Sequence, residues 1–378
     1  MTSPLKLQNK GVVLEKSTQG KSGLQKNGLR KTSLQKQRGV ALIFVLLLVA
    51  VLVAIAATMT ERMSTQFYRA SNLLHHQQAY WYSVGVEALA QAAIEETYKD
   101  NADNINLSQA WAIEGTQYPL ENGEAIGSII DKQACFNVNA LASLPETNSS
   151  QRPYLLKALA YMLQEQSQQQ ENSGASIDSY QAEVIADSIK EFVDSDAQVS
   201  TPSGVESSNY EGMQPSYEAP DGLLADNNEL RAVYQVTPQA MTILQQLTCA
   251  LPTTDLYINV NTLKPEQAAI LAGMFQPSLS LSDALQLIDS RPRDGWKDVD
   301  SFLNEAELGK VAANIKSEAS PFLAVTSQYF ELHTQIKVED SRVRLRSLIY
   351  SADKKTTQVI RRRFGGISER VSDNQAEQ

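Results

Sequence analysis

Histidine and cysteine are nearly missing from this chain, with three of one and two of the other in 378 residues. Metal sites built on nitrogen and sulfur need such residues clustered at fixed spacing. His75 and His76 are neighbours within a helical pattern and point to different faces, so they do not chelate together. His333 stands alone in a strand-like run. The sequence also lacks HExxH, paired Cys/His zinc spacing, a phosphate-cradling Gly-rich loop and a nucleophile elbow. No catalytic set emerges, and the expectation is a protein that is not an enzyme.

Basic residues are scarce where a nucleic-acid surface would need them. Before Gly39 lie nine Lys and Arg residues against Glu15 alone, a charge of about +8, which leaves about −18 for the remainder of a chain whose total is −10. A strongly acidic remainder argues against a general nucleic-acid surface, which needs a basic patch to neutralise phosphates. Arg361, Arg362 and Arg363 form a small cluster that reads as a solvated strand end.

Polar residues are wholly absent from Val40 to Ala57. About 20 apolar helical residues span a bilayer, and Thr58, Met59 and Thr60 extend the run before Glu61. The apolar part of a signal peptide is shorter, about 7–15 residues, and ends at a small-residue cleavage site. Ala54, Ala56 and Ala57 leave plain secretion as the alternative reading. The Lys/Arg-rich side stays in the cytoplasm, which places the bulk of the chain across the membrane. Cys135 and Cys249 would then lie in a disulfide-permissive compartment. The expectation is that they pair with each other, two separate buried thiols being the alternative.

What is present is largely helix, then strand. Residues 1–38 are low in complexity, with KSGLQKNGLRKTSLQK nearly repeating itself, and carry too few apolar groups for a core. From Glu61 the spacing of Met63, Phe67, Leu74, Trp81, Val84 and Ala88 continues a helix to about Tyr98, with this stripe expected to pack on a soluble domain. GEAIGSIIDKQACFNVNAL reads as two short strands joined near Asp131. Helices follow from Arg152, from Ser179, over Pro238–Leu247 and from Pro265, with a capping box at Ser280 and Asp283. LYINVNT is an interrupting strand. Between Asp194 and Asp226 runs a long Ser-, Gly-, Pro- and acid-rich loop, which needs something to order it. The end of the chain alternates as antiparallel strands, with Phe330, Leu332, Thr334 and Ile336 on one face. The fold class is α+β.

At this point the residues resemble a known family. A basic run ending in Gly39, then an apolar stretch passing into an amphipathic helix, resembles a type IV prepilin leader. QQAYWYSVGVEALA resembles the juxtamembrane helix of the K-class minor pseudopilins of type II secretion systems. FNVNAL and YINVNTL resemble that family's paired strands. EFVDSD, GVESSNY and ADNNELRAV resemble its acidic loop region, and the likeness covers nearly all of residues 36–365.

The resemblance implies a pilin-like fold with a long N-terminal helix, an antiparallel sheet and a large helical insertion. The implied segments are a cytoplasmic prepilin leader (1–39), a transmembrane helix (40–60), and the helix continuation with the first pilin strands (61–145). There follow a helical insertion with the acidic loop and an interrupting strand (146–320), C-terminal pilin strands (321–366) and a disordered tail (367–378).

It implies cleavage between Gly39 and Val40 by a prepilin peptidase and methylation of the Val40 amine. The glutamate usual at the fifth mature position is replaced by Phe44. A carboxylate within the bilayer is costly without a partner, and a subunit with nothing above it has none. The implied role is a filament-tip subunit of the secretion pseudopilus. It would initiate or cap assembly with other minor pseudopilins and the major pseudopilin through the N-terminal helix, to export folded proteins. The implied place is the bacterial inner membrane, single-pass, with the C-terminal domain periplasmic.

The family binds calcium in its acidic loop, which makes Asp194, Asp196, Glu206, Asp221 and Asp226 the candidate ligands. One departure is that the family's usual Glu-Asp pair is Glu206–Ser207 here. A solvated acidic loop is the alternative.

Two other functions remain open in the sequence. Ile258–Leu303 resembles a helix-hairpin-helix unit, which would suit a membrane-anchored periplasmic DNA-binding protein. Its hairpin, GMFQPSLS, lacks the second close glycine, so packing is the expected role and no nucleic-acid partner is expected. The leader alone also suits a type IV pilus minor pilin.

Overall fold

The structure is a computed structural model, and it describes residues 40–113, 115–145, 152–169 and 177–365. The leader with Gly39 and the polar tail 367–378 lie outside the described residues. Two compact units divide the chain, Met1–Gln66 and Phe67–Gln378.

Helix α1 covers Val40–Asn101, with neither proline nor a helix-breaking cluster in it. In the first unit its described residues, 40–66, are exposed throughout. Its first part is long and apolar enough to cross a membrane.

The second unit holds a five-stranded antiparallel sheet, made of β1 (Thr116–Leu120), β2 (Gly123–Asp131), β7 (Tyr329–Val338), β8 (Ser341–Tyr350) and β9 (Gln358–Phe364), in that spatial order. Strand β7 buries Phe330, Leu332, Thr334 and Ile336 as its alternation requires. The face of α1 against this sheet is not the stripe that its apolar spacing suggests. Ala79, Ser83, Val86, Glu87, Ala90, Ile94, Thr97 and Tyr98 are the buried residues. Phe67, Leu74 and Trp81 are 69%, 64% and 68% exposed, and Ala88 and Leu89 also face outward. Small residues, Ala79, Ser83 and Ala90, alternate on this face with the larger Val86, Ile94 and Tyr98. The buried Glu87 carboxylate is held by the Arg362 guanidinium at 2.7 Å and by the Ser347 hydroxyl, so a paired charge sits within this face.

Between β2 and β7 the chain leaves the sheet and builds a separate core. Short strands β3 (Phe136–Asn137) and β4 (Thr248–Cys249) pair in parallel, as do β5 (Ile258–Asn259) and β6 (Leu323–Ala324). FNVNAL and YINVNT thus belong to this insertion, each as a two-residue strand, and not to the pilin sheet. Strand β1 was not legible in the sequence, and it supplies an edge of the sheet instead. The insertion accordingly begins and ends nearer the sheet than 146–320.

Its helices are α2 (Tyr154–Gln169), α3 (Ser179–Val193), α4 (Ser207–Tyr210), α5 (Pro238–Leu247), α6 (Ala268–Met274), α7 (Leu281–Asp289), α8 (Val299–Leu303) and α9 (Ala313–Ala319). Caps start several of them where the sequence signals stand. Asp178, Thr237, Ser280 and Asp298 each accept a backbone N–H from the first turn. All seven residues of α6 are buried. A Cβ on Gly273 would lie 2.5 Å from the Ala158 carbonyl oxygen on α2. The glycine of the hairpin-like segment is therefore a packing residue and presents nothing to a phosphate.

The exit and return of the chain are tied together. Asp131, at the end of β2, is buried and accepts hydrogen bonds from the Gln133 N–H (2.7 Å), the Thr262 hydroxyl (2.6 Å), the Ser327 hydroxyl (2.5 Å) and the Asn259 amide (3.1 Å). Cys135 and Cys249 form a disulfide with Cα atoms 5.9 Å apart, closing a separation of 114 residues.

Candidate functional site

Helix α3 carries SIKEFVDS at its C-terminal end, and its 3.6-residue period puts Asp187, Glu191 and Asp194 along one side. The chain then turns back over that side. Tyr210, fully buried, anchors the returning loop by packing edge-on against Phe192 at 5.6 Å and accepting the Tyr234 N–H. Nearer the helix, Asp187 accepts from Arg152 Nε at 2.9 Å and from the Ser203 N–H at 3.0 Å, which pins the loop to α3. Gly204 lies directly on the helix, where a Cβ would come within 2.6 Å of Glu191 Cγ and 3.0 Å of the Asp187 carbonyl oxygen. The long acidic loop is ordered by these contacts.

The turn brings carboxylates together. Ligand oxygens of Glu191, Asp194 and Glu206 all lie within 4.8 Å of one another, and all three residues are buried. Glu191 accepts from the Ser200 N–H at 3.1 Å and the Ser200 hydroxyl at 3.2 Å. The other oxygens are poorly satisfied. Both oxygens of Glu206, Oδ1 of Asp194 and Oδ1 of Asp221 are buried without a hydrogen-bond partner. Such groups are rare in a folded protein, because desolvating a polar atom is costly unless something replaces the water. Burial, then the neighbouring charges of Asp194, Glu191 and Asp221, push the Glu206 carboxyl up to about 7. Burial likewise pushes Asp194 up to about 6, against the lowering pull of Lys190.

The arrangement fits a hard divalent cation. All the candidate ligands are oxygens, the donor type that selects calcium or magnesium over softer metals. Calcium–oxygen distances of about 2.3–2.6 Å allow two ligands of one ion to be up to about 5 Å apart, and the 4.8 Å spread lies within that. Glu191, Asp194 and Glu206 would hold the ion, with Asp221 as a neighbouring acid.

The sequence-predicted ligands divide accordingly. Asp194 and Glu206 meet in the cluster, and Asp221 stands beside Glu206 at a left-handed φ of 45°. Asp196 lies at the rim and accepts the Gln198 N–H at 2.8 Å. Asp226 is engaged elsewhere, which corrects its assignment. It caps the turn 227–232 in a capping box with Glu229, and its other oxygen pairs with Arg363. Glu191 was missed because it reads as part of an amphipathic helix. Its place three residues before Asp194 was the available signal. Ser207, where the family's second acid is expected, uses its hydroxyl to accept the Ala219 N–H at 3.0 Å.

A second candidate surface is the outward stripe of α1. Phe67, Leu74, Trp81 and Leu89 are exposed. Phe44 is 64% exposed on the apolar first part of α1.

Comparison with known proteins draws these features together. Two family models, both described as type II secretion system (T2SS), protein K, match residues 134–253 and 258–326. The type II secretion system protein K of Aeromonas hydrophila is 32% identical over 341 residues, covering 88% of this chain and 99% of that protein. The protein K of Klebsiella pneumoniae is 33% identical over 330 residues, covering 87% and 97%. Among solved structures, a chain of the GspK–GspI–GspJ complex from the enterotoxigenic Escherichia coli type 2 secretion system superposes with a TM-score of 0.70. It is 35% identical, with coverage of 79% of this chain and 99% of that one. The DNA-binding and type IV pilus readings are not favoured by these likenesses. The chain belongs to the type II secretion system protein K family of minor pseudopilins.

Proposed function

We propose that this subunit stands at the tip of the secretion pseudopilus and starts or caps its assembly, using the outward stripe of α1 to bind other minor pseudopilins. The carrying observation is that stripe. A helix normally buries its strongest apolar face, yet here Phe67, Leu74 and Trp81 lie outside the protein's own core while a face of mixed small, polar and apolar residues packs on the sheet. An apolar face kept free in this way suits partner helices of the same kind. By likeness to the three-protein complex, the partners are the I and J classes of the same system. The major pseudopilin would follow below them. The role is structural and the reaction chemistry none. Substituting Leu74→Asp and Trp81→Asp together should abolish co-purification with those partners and lower secretion at least tenfold, with the melting temperature of the isolated protein unchanged. Retained co-purification would refute the assignment.

The same reading has the prepilin peptidase cut between Gly39 and Val40 and methylate the Val40 amine, leaving a single-pass inner-membrane protein with its large domain in the periplasm. Phe44 supports the tip position, because no subunit above supplies an amine to balance a glutamate there. Calcium is the proposed ion of the loop, supported by the orphaned oxygens of Asp194, Glu206 and Asp221. Full-length protein in detergent should take up calcium in calorimetry and melt lower in chelator. No heat of binding, with identical melting in calcium and in chelator, would leave the cluster a bare acidic site.

A further inference from the structure

Lys190 is 2% exposed and lies one helical turn before Asp194. Lysine is almost never buried to that degree without a paired charge. Its ammonium donates to Asp194 Oδ2 and to the Ser200 hydroxyl, the latter at 2.8 Å. Ser200 in turn donates its N–H and its hydroxyl to Glu191. The ammonium therefore reaches both carboxylates on the α3 side of the cluster, one directly and one through Ser200. On the loop side, Glu206 has no such partner, and neither does Asp221 Oδ1. Asp194 is divided between the two sides, with Oδ2 on the lysine and Oδ1 free of any hydrogen bond.

We propose that Lys190 is a tethered counter-cation of the cluster, sharing Asp194 with the metal ion and limiting how tightly that ion is held. The inference rests on the metal reading above and adds a positioning residue to it. An ammonium beside a divalent ion repels it through a medium of low dielectric, where charges act more strongly than in water. The same ammonium offsets the mutual repulsion of Glu191, Asp194, Glu206 and Asp221 when the ion leaves. It thus keeps the loop folded without metal and weakens the metal's hold in exchange.

Lys190→Gln keeps a donor on a shorter side chain and removes the charge, while Lys190→Arg keeps the charge. In full-length protein, the Gln variant should melt lower than wild type in chelator, lose less in calcium, and bind calcium about tenfold more tightly. The Arg variant should follow wild type in all three. An equal fall of the melting temperature with and without calcium, or an unchanged or weaker affinity, overturns the proposal and leaves Lys190 a purely structural ion pair. Wild type that takes up no calcium overturns the metal reading and this one together. Lysine-selective nitrogen labelling of wild type needs no variant. The Lys190 ammonium signal should shift on adding calcium, and an unmoved signal counts against the proposal.

Discussion

A single half-buried carboxylate illustrates how charge is handled in this protein. Glu331 on β7 lies 3.6 Å from Lys132 Nζ and 2.8 Å from His333 Nε2. Burial pushes its carboxyl up, but Lys132, His333 and Arg346 outweigh that and hold it well below the usual carboxylate range. A depressed value in the folded state means that the stabilisation is complete above the unfolded value of about 4.5 and is lost as pH falls toward the folded one. Glu331→Gln should therefore cost about 1–2 kcal/mol at pH 7, and the gap to wild type should narrow steadily in urea melts between pH 5 and about pH 3. A gap of constant size across that interval would mean that the pairing contributes nothing to stability. Glu206 shows the opposite case, a carboxyl raised by burial among other acids, and that contrast separates a structural ion pair from a place suited to a metal.

Among elements, the helices were legible where capping and periodicity agreed. Pro238–Leu247 and the start at Ser179 follow directly from Thr237, Pro238 and Asp178. The long α1 was legible for lack of any breaker, but its facing was not. Hydrophobic periodicity reports that an apolar stripe will be covered, not by which chain. Here the protein's own sheet takes the face with Ala79, Ser83, Glu87 and Ala90, and the bulky stripe is left outside. The strands were harder to read. FNVNAL and YINVNTL look alike in sequence, yet each contributes only two residues to a short parallel pair. The edge strand β1 contains Pro119, which hides it from any alternation test and is tolerated because one side has no neighbour to bond. In the site, acidity alone could not separate Asp226, which caps a turn and pairs with Arg363, from Asp194 and Glu206. That distinction depends on where the loop folds back, which Tyr210 and Gly204 decide through packing.

For the molecule as a whole, the pilin sheet and the helical insertion keep separate cores. One core gathers α1 residues with Phe330, Leu332 and Ile336, and the other gathers α2, α3, α5 and α6. The links between them are mostly polar, with one small apolar cluster of Cys135, Cys249, Leu251 and Leu348. They include the Asp131 network and the Tyr98 hydroxyl donating to the Ser327 carbonyl at 2.7 Å. Replacing residues 133–328 by Asn-Gly, together with Asp131→Asn to avoid stranding a carboxylate, should yield a small sheet protein that still melts cooperatively at a lower temperature. A two-residue turn suffices because β2 and β7 are antiparallel neighbours. A product without a cooperative transition would show that the sheet needs its insertion in order to fold.

Asp131 faces Phe330 across the ladder, so nearly two hundred residues depart from and rejoin a single rung. Such an attachment works as a socket: the length of what is plugged into it places no demand on the strands, whose geometry is set by their own ladder.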